Sequence, residues 1–409
     1  MEGLKDEIVR QLHNLGEYGK DPGGGITRLL YSKPWTEAQA SIKAWLEQEG
    51  FEARFDEVGN LFGTVAGTKT NETILTGSHI DTVKNGGLYD GQYGIVAGII
   101  AVNFLKEKYG QPLRNLEVVS IAEEEGSRFP YAFWGSKNIV GIAKQQDVES
   151  LADFNGVPFV EAMKESGFHF KEEAKGKRKD VKAFVEVHVE QGIVLEKENK
   201  SVGVVQSIVG QRRFTVNLVG ESNHAGTTPM GLRRDTVHAA SRIICEIMAI
   251  AKEFGDPLVA TVGHFEVGPN IVNVVPGKTS FTIDVRHVNK QEIRQFTNQM
   301  KDAINALARE HEVEAEIEMW MDVDPVPMDP GIVQIIEHIC IENDLNYKMM
   351  HSGAGHDSQI FATVVPTAML FVPSHKGISH NPAEYTEPAD LAVGVKALIC
   401  TLYELAYKE

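Results

Sequence analysis

Hydrophobic positions in the first part of the chain alternate between helical and strand spacing. The segment "TEAQASIKAWLEQEG", residues 36–50, has apolar residues at helical intervals, with Thr36 and Gln39 spaced as a capping box and Gly50 as its end. Two short strand-like runs then flank Gly59 and Asn60, followed by the strand "TILTGSHI", the helix "YGIVAGIIAVNFLKEKYG" and the strand "LEVVSIAEEE". This order predicts a largely parallel sheet covered by helices.

A further hydrophobic strand, "VKAFVEVHVEQG", follows a more polar helical region and the charged stretch 171–180, which we predict to be a solvated loop. Alternation along the strand puts its valines on one face and Glu186, His188 and Glu190 on the other. A strand with a polar second face is either exposed to solvent or lines a site.

The pattern changes at residue 211. From there to Pro325 the chain reads strand, helix, strand, strand, helix, strand, an order that is complete in itself and lies between two α/β stretches. We therefore predict an α/β domain over residues 1–210 and 327–409, with a ferredoxin-like α+β domain, residues 211–326, inserted into it. After the insertion we expect a helix near 331–343, the strand "TAMLFVP", a polar loop and a last helix from "ADLAVGV" onward.

Charge narrows the range of partners. The 409 residues include 40 Lys and Arg against 57 Asp and Glu, and the net charge of -17 opposes binding to nucleic acid or to anionic membranes. No apolar run approaches the roughly 20 residues of a membrane helix, and the N-terminus lacks the order of a secretory signal. We expect a cytoplasmic protein. Cys245, Cys340 and Cys400 lie in apolar helical surroundings, which favours buried thiols over disulfides or metal ligands.

Candidate metal ligands begin in the glycine-rich stretch "GSHIDTVKNGGLYDGQYG", residues 77–94. His79 and Asp81 are two apart on a strand and share a face, so Asp81 can hold the second ring nitrogen of His79. The two oxygens of Asp90 could bridge a pair of ions. A turn that is merely rich in Asp and Gly is the alternative interpretation.

Carboxylates and histidines recur where later strands end. The run "IAEEEGSRFP" contains three consecutive glutamates, which repel one another unless cations or protons compensate their charge. In one interpretation, one glutamate binds a metal and its neighbour transfers a proton. The other interpretation is a solvated acidic turn. The polar loop after the strand "TAMLFVP" adds His375 and His380. Five N and O ligands without a thiolate fit two divalent ions that share one carboxylate, and these are His79, Asp90, Glu125, His188 and His380.

Seven motifs, spread in order over nearly the whole chain, resemble the M20-type amidohydrolases that cleave N-carbamoyl groups. They are "GSHIDTVKNGGLYDGQYG", "AEEEGSRFPYAFWGSKNI", "VEVHVEQG", "GQRRFTVNLVGESNHAGTTPMGLRRD", "PNIVNVVPGKTSFTIDVRH", "HSGAGHDSQIF" and "GISHNPAEYT". The resemblance implies a metallopeptidase-like catalytic domain that holds two divalent metal ions, Mn, Zn or Co, and a smaller lid domain that also forms a homodimer.

The same resemblance implies roles for individual residues. His79, Asp90, Glu125, His188 and His380 become the metal ligands, with Asp90 bridging. Glu124 becomes the general base, which takes a proton from water acidified by the two cations and passes it to the leaving nitrogen.

Residues of the inserted domain receive roles from the resemblance as well. His224, in "SNHAGTTP", stabilises the tetrahedral oxyanion and comes from the partner subunit. The resemblance also gives substrate-binding positions, which are Asn273 and Arg286 in the inserted domain and Gln191 and Gly355 in the surrounding domain. An anionic substrate on an acidic protein also needs a local cation, which favours Arg286 as the clamp for its carboxylate. A structural salt bridge is the alternative for Arg286, and the competing cations are Arg212, Arg233 and Arg234.

The reaction implied by the resemblance is hydrolysis of the ureido C–N bond of allantoate, giving ureidoglycine, ammonia and carbon dioxide in purine degradation. N-carbamoyl-L-amino acids are the alternative substrates, because they require the same metal site, base and carboxylate clamp. A metalloexopeptidase and an inactive binding module are further alternatives. The inactive module would lack a metal ligand, and no ligand position of the pattern is missing here.

Overall fold

The computed structural model describes residues 3–171 and 178–409, and the chain divides into two compact units. Unit 1 consists of Met1–Gln206 and Pro327–Glu409, and unit 2 of Ser207–Val326. The inserted unit thus begins at residue 207, where the sequence pattern suggested 211. Most of the charged stretch 171–180, predicted as a loop, lies outside the described residues.

Helices and strands are numbered in chain order. The helices are α1 (Leu4–Gly16), α2 (Lys33–Gln48), α3 (Gln92–Tyr109), α4 (Trp134–Val140), α5 (Phe159–Glu165), α6 (Val194–Lys197), α7 (Thr236–Phe254), α8 (Lys290–Glu310), α9 (Pro330–Glu342), α10 (Asp357–Phe361) and α11 (Pro388–Tyr407). The strands are β1 (Glu52–Phe55), β2 (Leu61–Val65), β3 (Lys69–His79), β4 (Arg114–Ile121), β5 (Val181–Val189), β6 (Val202–Ile208), β7 (Gly210–Val219), β8 (Asn223–His224), β9 (Val259–Gly268), β10 (Val274–Val275), β11 (Lys278–His287), β12 (Glu314–Val323), β13 (Val326–Pro327), β14 (Tyr347–Ser352) and β15 (Thr367–Val372).

The main sheet has the strand order β1-β2-β4-β3-β5-β15-β6-β13, and β14 pairs with β6. Its centre, β4-β3-β5-β15, is parallel, while β1, β2 and β6 run antiparallel to their neighbours. The predicted mixed, largely parallel sheet is therefore confirmed. Because the central strands are parallel, the ends of β3, β4 and β5 lie at one edge, where chain segments carrying functional groups converge.

Helices cover the two faces of this sheet. On one face, Thr76 and Val118 approach α3 at Gly98. Their neighbours Leu75 and Val119 point to the other face. There they pack in a cluster with Ile139 of α4 and Phe361 of α10. Both faces of the central strands are thus buried. In β5, Glu186 and His188 are 0% and 1% exposed, so the polar face of that strand is not a solvent-facing surface.

The predicted capping box of α2 is wrong. The helix begins at Lys33, and Ser32 is its N-cap, accepting a hydrogen bond from the Trp35 backbone N–H. Gln39 is buried inside the helix, where its side chain donates to the Gly59 carbonyl at 3.0 Å. Pro34 fixes a helical φ in the first turn and lets the helix start earlier than the apolar spacing indicated.

Unit 2 has a four-stranded antiparallel sheet in the order β12-β7-β11-β9, and α7 and α8 pack on it around a common hydrophobic core. This is the predicted ferredoxin-like arrangement, and that part of the fold class is confirmed. A separate pair, β8 and β10, joins His224 to Val274 in register.

One of the three cysteine predictions is wrong. Cys340 is buried and Cys400 half-buried, but Cys245 is exposed, because Ile243 and Ile247 face the core and the residue midway between them points outward on the helix. Among the described helices, none combines the length and the apolar character needed to cross a membrane.

Candidate metal centre

A first group of ligand atoms forms where β3, β5 and the start of α3 meet. His79 is the last residue of β3, His188 lies near the end of β5, and Asp90 precedes α3. Oδ1 of Asp90 lies 3.2 Å from Nε2 of His188 and 3.6 Å from Nε2 of His79. All three are buried, with 2%, 1% and 5% exposure for His79, His188 and Asp90.

A second group uses the other oxygen of the same carboxylate. Oδ2 of Asp90 lies 3.2 Å from Nε2 of His380, which is also 3.4 Å from Oε1 of Glu125. The two groups, His79–Asp90–His188 and Asp90–Glu125–His380, each bring their donor atoms within 4.8 Å of one another. Asp90 therefore turns one oxygen toward each group, as a carboxylate shared by two cations must.

The outer ring nitrogens of the histidines are held by the protein. Nδ1 of His79 lies 3.3 Å from Oδ1 of Asp81, and Nδ1 of His188 lies 2.9 Å from the Val189 carbonyl. Asp81 also accepts the backbone N–H groups of Glu124 and Glu125 at 2.9 and 3.1 Å. One carboxylate thus orients a candidate ligand, His79, and fixes the backbone of the acidic run.

The three consecutive glutamates lie just beyond β4 and face inward. Burial raises the pKa of Glu123 well above its ordinary value, with the charge of Asp81 adding to the effect. Burial likewise raises the pKa of Glu124, where His79 opposes the rise and Glu125 adds to it. Burial and the charge of Asp90 raise the pKa of Glu125 to about 7. The interpretation as a solvated acidic turn is excluded.

Three histidines next to Asp90, which are His79, His188 and His380, also have raised pKa values. The bond to Asp90 raises the pKa of His380 to about 9. Burial alone would raise the pKa of Asp90, but its hydrogen bonds with His188, His380 and His79 hold that pKa well below the usual range.

The residues present fit two divalent cations. Buried carboxylates outnumber cationic side chains around Asp90, a distribution of charge that is stable only when protons or cations compensate it. The donors are imidazole nitrogens and carboxylate oxygens without a thiolate, a set that Zn, Mn and Co accept.

Sequence reasoning missed a second carboxylate that supports Asp90. Oε2 of Glu384 accepts the backbone N–H groups of Tyr89 and Asp90 at 2.8 and 3.1 Å, and Ser379 donates to Oε1 at 2.9 Å. A Cβ on Gly87 would lie only 2.0 Å from Oε2 of Glu384, which explains a glycine at that point of the loop. The only sign of this role in the sequence was that Glu384 belongs to "AEYTEP", at the end of the polar loop that carries His375 and His380. Glu384 lies 295 residues from Tyr89, so no local pattern connects the two.

The sequence also gave no independent role to a third buried group, Glu186, His188 and His356, whose donor atoms lie within 4.8 Å. His356 packs edge-on against His188 with ring centroids 4.6 Å apart. The other histidine of the polar loop, His375, pairs with Glu196 at 2.7 Å.

Two substrate-binding candidates of unit 1 lie next to these groups. The side-chain amide of Gln191 donates to Oδ2 of Asp90 at 3.1 Å and to Ser379 at 3.2 Å. Gly355 immediately precedes His356, and a Cβ there would lie 3.2 Å from the ring of Phe133. The Phe133 N–H in turn donates to the Glu124 carbonyl at 3.0 Å.

The candidates of unit 2 form two separate sets. His224 is exposed and adjoins Asn273, whose carbonyl accepts the Ala225 N–H at 3.0 Å. Arg286 is near the other end of β11, where Asp284 binds its Nε at 2.9 Å. Of the competing cations, Arg212 pairs with Asp322 and the Nε of Arg233 donates to the Thr228 carbonyl.

Comparison with known proteins gives relatives that match from end to end. An allantoate amidohydrolase of Escherichia coli (strain K12) is 55% identical over 407 residues, covering 99% of each chain. An allantoate amidohydrolase of Bacillus subtilis (strain 168) is 46% identical, covering 99% of this chain and 98% of that one.

Solved structures agree with this result. A crystal structure of an amidase of the hydantoinase/carbamoylase family from Burkholderia multivorans superposes with a TM-score of 0.92 at 31% identity, covering 97% of both chains. Residues 75–404 match the family model described as Peptidase family M20/M25/M40. With its shared-carboxylate ligand groups, its inserted unit and these matches, the chain belongs to peptidase family M20/M25/M40.

Proposed function

We propose that this chain is a two-metal hydrolase of ureido C–N bonds and that allantoate is its preferred substrate. The observation that carries the proposal is Asp90, whose two oxygens face separate groups of ligands. The choice of allantoate is supported by two relatives named allantoate amidohydrolase, which are 55% and 46% identical to this chain. An N-carbamoyl-L-amino acid is the second candidate, because the Burkholderia structure belongs to a carbamoylase family at 31% identity.

The residues that would hold the two cations are His79, Asp90, Glu125, His188 and His380, and Asp90 would contribute to both sites. Mn, Zn or Co, once bound, supplies positive charge that acidifies water and polarises the ureido carbonyl.

Glu124 is the general base. Its backbone is fixed on both sides, by Asp81 at the N–H and by Phe133 at the carbonyl. Within the described part of the chain its carboxylate has no hydrogen-bond partner, which leaves it available to water. Glu124 takes one proton from the attacking water, the C–N bond breaks, and the proton goes to the departing nitrogen. The carbamate that this cleavage leaves loses carbon dioxide when its remaining C–N bond breaks. One water is consumed in total, and the products are ureidoglycine, ammonia and carbon dioxide.

Arg286 binds the substrate carboxylate, and His224 and Asn273 contact the reacting ureido group. From Lys278 to Arg286, β11 rises by roughly 26 Å at about 3.3 Å per residue. His224 and Asn273 lie beyond the Lys278 end of that strand. One small substrate cannot touch both sets within one copy of unit 2, which supports a homodimer in which His224 comes from the partner subunit.

Exposed apolar side chains next to His224 and Asn273 also support a dimer. Met230, Leu232, Ile271 and Val272 are 75%, 77%, 53% and 101% exposed. They lie on the two loops that carry these residues, and a group of this kind is typical of a surface that another chain covers.

The deciding experiment measures ammonia release by protein stripped with a chelator and resupplied with Mn, Co or Zn. Allantoate and a panel of N-carbamoyl-L-amino acids are compared by kcat/KM. We expect release only with metal and a preference for allantoate. A preference for carbamoyl amino acids would replace the substrate and keep the mechanism, while no release from either class with metal bound would refute the proposed function.

A further inference from the structure

Glu186 is a buried carboxylate that the proposed mechanism does not use. It lies in β5 two residues before the ligand His188 and is 0% exposed. Among the residues that the structure describes, no Lys, Arg or His forms an ion pair with it. A buried carboxylate without an ion pair is costly unless hydrogen bonds satisfy its oxygens.

Two serines supply those hydrogen bonds. The Ser78 hydroxyl donates to Oε1 of Glu186 at 2.7 Å. The Ser358 hydroxyl and backbone N–H donate to Oε2 at 2.7 and 3.2 Å. Both oxygens are therefore satisfied, and each is bonded to a different segment of the chain.

The first serine connects Glu186 to a metal-ligand strand. Ser78 directly precedes His79, and the backbone ladder between β3 and β5 ends at Thr76 and Val185. The bond between Ser78 and Glu186 continues the link between these strands up to the level of their histidines.

The second serine connects Glu186 to the segment 353–358. Ser358 is in the first turn of α10 and is three residues from Gly355, and the His356 ring lies against that of His188. The backbone of Gly355 is thus held near the ligands through Glu186.

The group Glu186–His188–His356 does not suit a third cation. Hydroxyl donors occupy both oxygens of Glu186, and Nε2 of His356 lies 3.0 Å from the Ser352 hydroxyl. His188 has Nδ1 at the Val189 carbonyl and Nε2 at Asp90. Each polar atom named already has a partner within the protein.

We propose that Glu186 is a positioning residue, which holds the segment 353–358 against the ligand-bearing strands so that Gly355 meets the substrate. The inference rests on the proposed function, in which Gly355 contacts the substrate. It predicts that loss of Glu186 weakens substrate binding while the metal ligands stay in place.

Two variants of similar length separate hydrogen bonding from charge. In Glu186→Gln the amide oxygen can accept from Ser358, and the amide nitrogen can donate to Ser78, whose hydroxyl also accepts. Glu186→Met offers neither bond. We expect KM for the preferred substrate to rise about fivefold to tenfold in Glu186→Met, with kcat changed less than about threefold, and both constants to stay within about twofold in Glu186→Gln.

Two further readouts do not depend on activity. Metal stoichiometry should be unchanged in both variants, and amide hydrogen exchange in the peptide that contains Ser358 should quicken only in Glu186→Met. The inference is overturned if Glu186→Met loses metal, or if it lowers thermal stability without changing KM. It is also overturned if Glu186→Gln behaves like Glu186→Met, because the charge of Glu186, and not its hydrogen bonds, would then be what matters.

Ser358→Ala tests the inference if Glu186→Met fails to fold. It removes one of the two hydrogen bonds that Ser358 donates to Oε2 of Glu186, so a rise in KM of about threefold is expected and an unchanged KM would overturn the inference. The wild-type protein is assayed first on both substrate classes. No activity there refutes the proposed function, whereas the exchange difference between the two Glu186 variants still decides the role of Glu186.

Discussion

At the scale of residues, the three glutamates after β4 have different environments although they are adjacent. Glu125 approaches His380 at 3.4 Å, Glu124 is fixed through its backbone, and Glu123 is fully buried. These different surroundings allow one run to supply both a candidate ligand and a candidate base.

Replacing Glu124 with Gln should remove catalysis and leave metal binding intact. The amide keeps the shape of the side chain but cannot accept a proton, and we expect kcat to fall about a thousandfold. Steady-state kinetics and metal analysis on the same sample test this. Asp90→Ala is the contrasting variant, because it removes the shared ligand and should lose metal. Near-normal turnover by Glu124→Gln would mean that another group is the base.

Cation binding should release protons at neutral pH. The pKa of His380 is raised to about 9 by Asp90, so without cations the ring is protonated at pH 7, and a protonated ring cannot bind a metal. The affinity for cations should therefore fall as the pH drops below about 9, because a growing fraction of His380 is then protonated.

Titration calorimetry in buffers of different ionisation enthalpy measures this release. His380→Ala should release about one proton fewer than the wild-type protein. Equal release by both proteins would show that His380 is not the source.

At the scale of elements, α3 connects the metal centre to the core. A glycine with positive φ flanks each end of the helix, Gly91 with φ 67° and Gly110 with φ 73°. Their surroundings differ. A Cβ on Gly91 would lie 2.5 Å from Cε1 of His79, and a Cβ on Gly110 would meet nothing within 4 Å.

This pair gives a matched test of the Gly91 contact. Gly110→Ala should cost about 1–3 kcal/mol of unfolding free energy, since φ 73° with ψ -147° is a backbone conformation that alanine rarely adopts, and should leave metal affinity unchanged. Gly91→Ala also places alanine at a positive φ, but its Cβ displaces His79 as well, and we expect metal affinity to fall about tenfold to a hundredfold. Thermal unfolding and competition with a chelator measure the two effects. Equal metal affinity in both variants would contradict the assignment of His79.

At the scale of the whole molecule, the proposed homodimer shares its substrate site between subunits. The proposal predicts that inactive Glu124→Gln and His224→Ala proteins complement each other after subunit exchange. Each mixed dimer then has one site with an intact Glu124 and an intact partner His224. An equal mixture should regain about a quarter of wild-type activity, because half of the dimers are mixed and each has one competent site.

A double variant, Glu124→Gln with His224→Ala, is the control for that experiment. Mixed with either single variant, it creates no competent site and should restore nothing. Absence of recovery in the main experiment, with exchange demonstrated by mass spectrometry, would count against a shared site.

The sequence by itself determined those features that depend on neighbours in the chain. Alternation in β7 and helical spacing in α7 and α8 specify a buried face, and the structure confirms the ferredoxin-like arrangement that they predict. The candidate ligands His79 and Glu125, at and just after strand ends, were also recognisable, because polar residues there follow an apolar run and leave a visible pattern.

Tertiary structure alone decided which distant segments meet. Glu384 supports Asp90, and Glu186 joins Ser78 to Ser358, through contacts between residues more than about a hundred positions apart. The approach of His188 and His380 to Asp90 likewise depends on segments that are distant in the chain. Ser32 likewise replaced Thr36 as the cap of α2 because Trp35 is buried and its indole donates to the Ala122 carbonyl. Periodicity records which side of an element is buried, but hydrogen bonds across the core are fixed only when the elements have packed.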